Sequence, residues 1–282
     1  MEQLCDLHTH SIFSDGTRTP SELVDEAVAL GLSAVALCDH NTVGGLPELL
    51  RAAEGKPIEA ICAAEFSADY QDAELHVLGL YIDPQHFPHI SNVMQAVNER
   101  KVQSNRNMAE SLCRAGYAVD YEAICAASPS SKINRSHFSA ALTQAGYTAS
   151  KEEAFRTLLS LEAGHYVPPK RLTVWEVLAL LREIGAVPVL AHPFLSLDEA
   201  RLRAFLPAAK AQGLQGMEVL YSEYDAETTA LADDVARQYD LLPSGGSDYH
   251  GTGKPGISLG VGRGNLRIPY AWAKILREKR RP

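Results

Sequence analysis

The chain has 282 residues, 46% of them hydrophobic and 22% charged, with a formal net charge of −9 at pH 7. That length supports a sizeable core, in one large domain or in one domain with an insertion, and the composition excludes a disordered or membrane class. The acidic balance disfavours duplex DNA, which is bound by basic surfaces, although bound divalent ions would return positive charge locally and attract an anionic substrate.

In chain order, the first residues run straight into "CDLHTH" with no basic flank or apolar h-region, and no apolar run approaches the roughly 18 residues of a membrane span. A cytoplasmic protein with no membrane partner is therefore expected. "LCDLHT" is strand-like, "TPSELVDEAVALG" is a helix with a Thr N-cap followed by Pro and closed at Gly31, and "LSAVALCDH" is a buried strand. This βαβ beginning implies parallel strands. "IEAICAAEFSA" and "ELHVLGLYI" follow as two strands joined by the polar link "DYQDA".

Helical periodicity then dominates, as in "ISNVMQAVNERKVQSNRNMAESLCRAG", "SHFSAALTQAG" and "SKEEAFRTLL". Residues 100–168 are expected to form a helical insertion, or cap, because a structureless connection of that length would be unusual. After "YVPPK" the alternation resumes: "TVWEVLALLREIG" (helix), "AVPVLAHP" (strand), "LDEARLRAFLPAAKAQG" (helix), "LQGMEVLY" (strand), "DAETTALADDVARQYD" (helix) and "LLPSGGSDYHG" (strand). Residues 1–99 and 169–282 thus read as one barrel-like α/β fold. Of the five cysteines, Cys5, Cys38 and Cys62 fall in apolar runs and none forms a CxxC pair, which suits reduced core thiols.

Placed on this map, the polar outliers collect near strand ends: His8 and His10 after the first strand, Asp39 and His40 after the second, Glu65 after the third, His192 after "AVPVLA", and Asp248 and His250 after "LLPSGG". His76 lies early or midway in the fourth apolar run. In parallel α/β barrels the strand C-termini and the loops after them form the active face. Each residue alone has a plainer role. A lone His76 in an apolar strand is usually a hydrogen-bonded core residue, Glu65 by itself suits an arginine partner, and Asp15 and Asp39 suit turns or caps. Five of the ten histidines at different strand ends, with His8 beside His10, point together to a metal site. Imidazoles with carboxylates and no thiolate motif suit Zn, Mn or Fe, and a set this large suits a polynuclear hydrolytic centre.

The stretches "DLHTHSIFSDG", "LCDHNT", "AAEFSA", "ELHVLGL", "VLAHPF" and "GGSDYHG", in this order across nearly the whole chain, resemble the polymerase and histidinol phosphatase (PHP) superfamily. That resemblance implies a distorted seven-stranded β/α barrel with a trinuclear metal centre. Carried over, His8, His10, Glu65 and Asp248 would hold one ion. Glu65 would bridge to a second, held also by His76 and His192, and Asp15, His40 and His250 would hold a third. Asp15 stands where some members have histidine.

"INRSHFSAALTQAGY" and "GHYVPPKRLT" resemble the nucleotide phosphatase and 5′-directed exoribonuclease branch. The implied substrates are 3′,5′-bisphosphonucleotides, nucleoside monophosphates or the 5′ ends of short RNA, attacked by a metal-bound hydroxide, with His192 and His250 as candidate helpers in proton transfer. Arg135 and His137 match that branch's cap motif, with Asn134 and Ser136 where glycine and proline are commoner. They are candidate phosphate-binding residues, as are Lys170 and Arg171, where the cap returns to the barrel. Ser222 and Glu223 are weaker candidates, His86 and His89 are expected on a surface loop, and His165 matches no ligand position.

Two rivals differ in class. A metal-dependent amidohydrolase also opens with HxH, but many of these bridge their ions with a strand-end lysine, and here Glu65 takes that place. A non-catalytic metal-binding module would be expected to lack ligands or carry polymerase segments, and this chain does neither.

Overall fold

The computed structural model describes residues 3–128 and 133–280. They divide into two compact units, Met1–Ser91 with Arg171–Pro282, and Asn92–Lys170. The first unit opens with β1 (Cys5–Thr9), α1 (Pro20–Ala29) and β2 (Ala34–Leu37). α1 starts where the sequence signals it: the Thr19 hydroxyl accepts from the Glu22 amide, Glu22 reaches back to the Thr19 amide, and Pro20 takes the first position. As expected of a βαβ unit, β1 and β2 are parallel.

α2 (Leu46–Ala53), β3 (Glu59–Tyr70) and β4 (Ala73–Leu80) follow. β3 pairs parallel to β2, then turns through Gln71 and Asp72 into an antiparallel pairing with β4 that runs from Tyr70↔Ala73 to Ala63↔Leu80. Here one expectation is corrected. Glu65 does not follow its strand but lies inside it, because the hairpin with β4 supplies backbone partners that carry β3 five residues further.

α3 (Phe87–Arg114), α4 (Tyr121–Ala127), α5 (Arg135–Gln144) and α6 (Lys151–Thr157) come next, and no strand interrupts them among the described residues. The boundary expected at residue 100 falls inside α3, whereas the division between units lies at Ser91/Asn92. Helical periodicity runs unbroken through that point and carries no mark of where the contacts change. The second unit has its own core of Met108, Leu112, Phe138, Leu142, Ala154 and Leu159. Pairs such as 108/112 and 138/142 bring one helix face inward.

The first unit resumes with the two-residue β5 (Leu172–Thr173) and then α7 (Val174–Glu183), β6 (Val187–Ala191), α8 (Glu199–Ala211), β7 (Gly216–Tyr221), α9 (Ala226–Gln238), β8 (Leu242–Gly246) and α10 (Tyr270–Arg277). The strand order is β1-β2-β3-β4-β6-β7-β8, with β5 beside β3. Only β4 opposes its neighbours, β3 and β6. Just past β8 the sheet returns to its start: the Asp248 amide donates to the His8 carbonyl at 2.8 Å and the His10 amide to the Tyr249 carbonyl at 2.9 Å. The result is a nearly closed, distorted seven-strand barrel. Cys5, Leu7, Ala34, Ala36, Ile61, Ala63, Leu78 and Leu80 alternate along its strands and pack with Ala273 and Leu276 of α10. Cys5, Cys38 and Cys62 are buried free thiols. No helix among the described residues is long and apolar enough to cross a membrane.

Candidate metal centre

Strand ends and the loops after them, together with Glu65 inside β3 and His76 inside β4, bring the expected ligands together. β1 delivers His8, and the chain leaving it delivers His10. The Cys38 amide donates to the Thr9 carbonyl at 2.7 Å, which fixes where Asp39 and His40 leave β2. Asp39 organises the loop that carries Asp15: its carboxylate accepts from the Ser11 amide (2.8 Å), the Ser11 hydroxyl and the Ser14 hydroxyl (both 2.6 Å). Gly16 is required there, since a Cβ would lie 2.5 Å from the His10 carbonyl oxygen. Asp6 ties the barrel ends by accepting from the Ser247 amide (2.9 Å) and the Gly260 amide (2.8 Å). His192 and Asp248 follow β6 and β8 with φ of 27° and 55°. A left-handed backbone at two non-glycine residues is strain that the surrounding structure must hold.

Glu65 stands at the centre. Its Oε2 lies 3.3 Å from Nε2 of both His8 and His10 and 3.0 Å from His40 Nδ1. Its Oε1 lies 2.8 Å from His76 Nδ1 and 3.0 Å from His192 Nε2. Asp248 Oδ1 is 3.2 Å from His10 Nε2, and Asp15 Oδ1 is 3.1 Å from His250 Nε2. Four sets have donor atoms mutually within 4.8 Å: His10/Asp15/His40/His250, His8/His10/Glu65, His8/His192/Glu218 and His40/Glu65/His76. Within this crowd His8 Nε2 and His10 Nε2 face each other at 3.1 Å. His40 Nδ1 and Glu65 Oε2 are buried and form no hydrogen bond. Converging nitrogen and oxygen donors with buried orphaned atoms are what a cation-binding cluster requires.

The electrostatics agree. Burial opposes the charged form of His8, yet Glu218, Glu65 and Asp248 outweigh it and hold the imidazole well above its usual range. Against the same cost of burial, the carboxylates of Asp248 and Glu65 lift His10 to about 9. Glu65 and Glu74 likewise lift His76 to about 10. Burial would raise Glu65, but His40, His76, His8 and His10 hold it well below the carboxylate range. His40 is lowered, because burial and the nearby His10 prevail over Glu65 and Asp15. The centre is a concentration of anionic oxygen whose charge must be matched by protons or metal.

Sequence reasoning missed Glu218, fully buried in β7. Its Oε1 lies 2.9 Å from His8 Nδ1, and its Oε2 accepts from the His192 amide at 2.7 Å. A carboxylate in the apolar run "GMEVLY" was the available signal. By fixing the rear nitrogen of His8, Glu218 sets which nitrogen faces the cluster. Glu218→Gln is expected to weaken metal affinity by about 10- to 100-fold. Titration of metal into the stripped variant checks this, and an unchanged affinity would refute the role.

The expected phosphate-binding side chains lie as follows. Arg171 pairs with Asp69 (3.1 Å) and Glu74 (2.6 Å), and Glu74 in turn lies 3.4 Å from His76 Nε2. Arg135, in the second unit, sits 4.4 Å over the Tyr166 ring and donates to the Leu159 carbonyl at 3.3 Å. His137 Nδ1 is used at the N-terminus of α5, 2.9 Å from Asn134 Oδ1. Lys170 is exposed. The Ser222 hydroxyl donates to the Ser247 carbonyl, and Glu223 pairs with Arg263. His89 lies 3.7 Å from Glu183, and His165 hydrogen-bonds with Ser111.

Comparison with known proteins gives the cluster a context. Residues 6–167 match the PHP domain family. A 5′-3′ exoribonuclease of Haemophilus influenzae is 28% identical over 251 residues, 89% of this chain and 91% of that protein. A 3′,5′-nucleoside bisphosphate phosphatase of Chromobacterium violaceum is 29% identical over 257 residues, 90% of each. A solved structure described as a metal-dependent phosphoesterase of Bifidobacterium adolescentis superposes with a TM-score of 0.84 at 29% identity, covering 99% of this chain and 97% of that one.

Proposed function

The chain belongs to the PHP domain family and is a metal-dependent phosphoesterase, and from that premise we propose that it hydrolyses small phosphorylated nucleotides, either 3′,5′-bisphosphonucleotides or the 5′ ends of short RNA. The observation that carries this reading is Glu65, one buried carboxylate whose two oxygens face five imidazoles. In the proposed assignment His8, His10, Glu65 and Asp248 would hold one divalent ion, Glu65, His76 and His192 a second, and Asp15, His40 and His250 a third. The mixed nitrogen and oxygen set suits Mn, Fe or Zn. Such ions would polarise phosphoryl oxygens and lower the pKa of water towards neutrality.

The chain's own residues do the positioning. Glu218 orients His8, while Glu74 and Arg171 orient His76. His250 Nδ1 lies 2.8 Å from the Asp248 carbonyl, which leaves Nε2, beside Asp15, to face the third ion, so His250 would hold the site rather than carry protons away. The relatives named for exoribonuclease and bisphosphate phosphatase activities support a nucleotide substrate. The net charge of −9 supports a small substrate over duplex DNA, and the free buried cysteines support a cytoplasmic location.

The test is a screen of phosphomonoesters, 3′,5′-bisphosphonucleotides and 5′-phosphorylated short RNAs with added Mn. Release of phosphate or of 5′ nucleotides is expected, and a chelator should abolish it. Hydrolysis that survives thorough metal removal would exclude the mechanism. Failure on every substrate would favour the binding-module reading.

A further inference from the structure

We propose that Lys254 is the barrel's own cation for the substrate phosphate, a role that rests on the phosphoesterase reading. The loop after β8 carries it towards the metal centre and fixes its backbone. The Gly253 amide donates to the His250 carbonyl at 3.2 Å, and the Thr252 amide donates to Thr17 Oγ1 at 2.9 Å. Thr17 in turn donates through its own amide to the His250 carbonyl at 3.2 Å, so the loops bearing Asp15 and Lys254 are laced together.

The side chain ends on Asp248. The carboxylate of Asp248 is divided: Oδ1 faces His10, while Oδ2 accepts from the Tyr221 hydroxyl at 2.9 Å and from the Lys254 ammonium at 2.5 Å. Asp248 is 5% exposed at its side chain and Lys254 37%, so the pair reaches from the buried cluster to a partly exposed side chain. On the proposed role, an incoming dianion meets Lys254 on its way to the cluster. Lys254 can turn towards it because Tyr221 stays on Oδ2 and keeps the buried oxygen hydrogen-bonded. An ammonium has three rotatable donors, and the contact with Asp248 uses one. Arg171 and Arg135, the arginines first expected on phosphate, are engaged by two carboxylates and by Tyr166 respectively.

The full-length protein loaded with Mn tests this through Lys254→Gln and Lys254→Arg. Calorimetry with inorganic phosphate, metal content per chain, and KM and kcat for a 3′,5′-bisphosphonucleotide are the readouts. Lys254→Gln should keep its metal while phosphate binding weakens and KM rises by about tenfold or more, the size of a lost charge-assisted hydrogen bond. Lys254→Arg should recover most of both. Unchanged phosphate affinity in Lys254→Gln overturns the assignment, as does loss of metal, which would make Lys254 a brace for Asp248. A wild-type protein that neither binds phosphate nor hydrolyses any ester rejects the phosphoesterase reading itself, before any variant is compared.

Discussion

Glu65→Gln is expected to lower phosphoester turnover by about a thousandfold or more, with the far-ultraviolet circular dichroism unchanged. The amide keeps the shape of the carboxylate but removes its charge and puts an NH₂ group where an acceptor faces imidazole nitrogens. Both Glu65 oxygens face imidazoles, one those of His8, His10 and His40 and the other those of His76 and His192. No single substitution elsewhere in the cluster touches as many donors. Losing a bridging ligand forfeits several kcal/mol of charge stabilisation, and each 1.4 kcal/mol or so is tenfold in rate. Metal content should fall with activity. A variant retaining a tenth of wild-type turnover and its full metal complement would show that Glu65 does not bridge.

Gly246→Ala is the second large effect, and it acts on the frame that holds the site. Gly246 ends β8 against β1, where a Cβ would lie 2.1 Å from the Cβ of His8, 2.7 Å from its amide nitrogen and 2.8 Å from its Cα. Two of these are backbone atoms, so no rotamer change relieves the clash and the strands must part where the barrel closes. Overpacking costs about 1–3 kcal/mol where side chains can give, and here the cost is expected at about 3 kcal/mol or more. At about 2–4 °C per kcal/mol for a chain of this size, Tm should drop by about 6–12 °C. Activity should fall as well, since His8 is displaced from Glu65 and Glu218. Gly55→Ala is the comparison: its φ is +72° but nothing lies within 4 Å of the added carbon, so its cost is local strain alone. Equal Tm values for Gly246→Ala and wild type would refute this packing argument.

The two cases differ in how they could be read. Glu65 is visible as a lone carboxylate in the apolar run "AICAAEFSA", although that run does not show the strand continuing five residues past it. Gly246 sits in "PSGGSDYHG", where turn chemistry is the ordinary explanation of a glycine pair. Nothing local says that the second glycine presses on a residue 238 positions earlier. Glu218 and Lys254 behave alike in this respect. Each carries a charge whose partner, His8 or Asp248, is chosen by the fold, and for Glu218 that partner lies 210 positions away.

By itself the sequence determined the parallel βαβ opening, the helical character of the middle of the chain and the chemical type of the centre. These rest on short-range causes: side-chain periodicity, capping residues and the donor atoms of His, Asp and Glu. Tertiary structure alone decided that β4 runs against its neighbours, that Glu65 faces five imidazoles at once, and which charged side chains are spent on internal partners. Those outcomes depend on distances between residues far apart in the chain, which close only when β8 returns to β1 and the barrel completes.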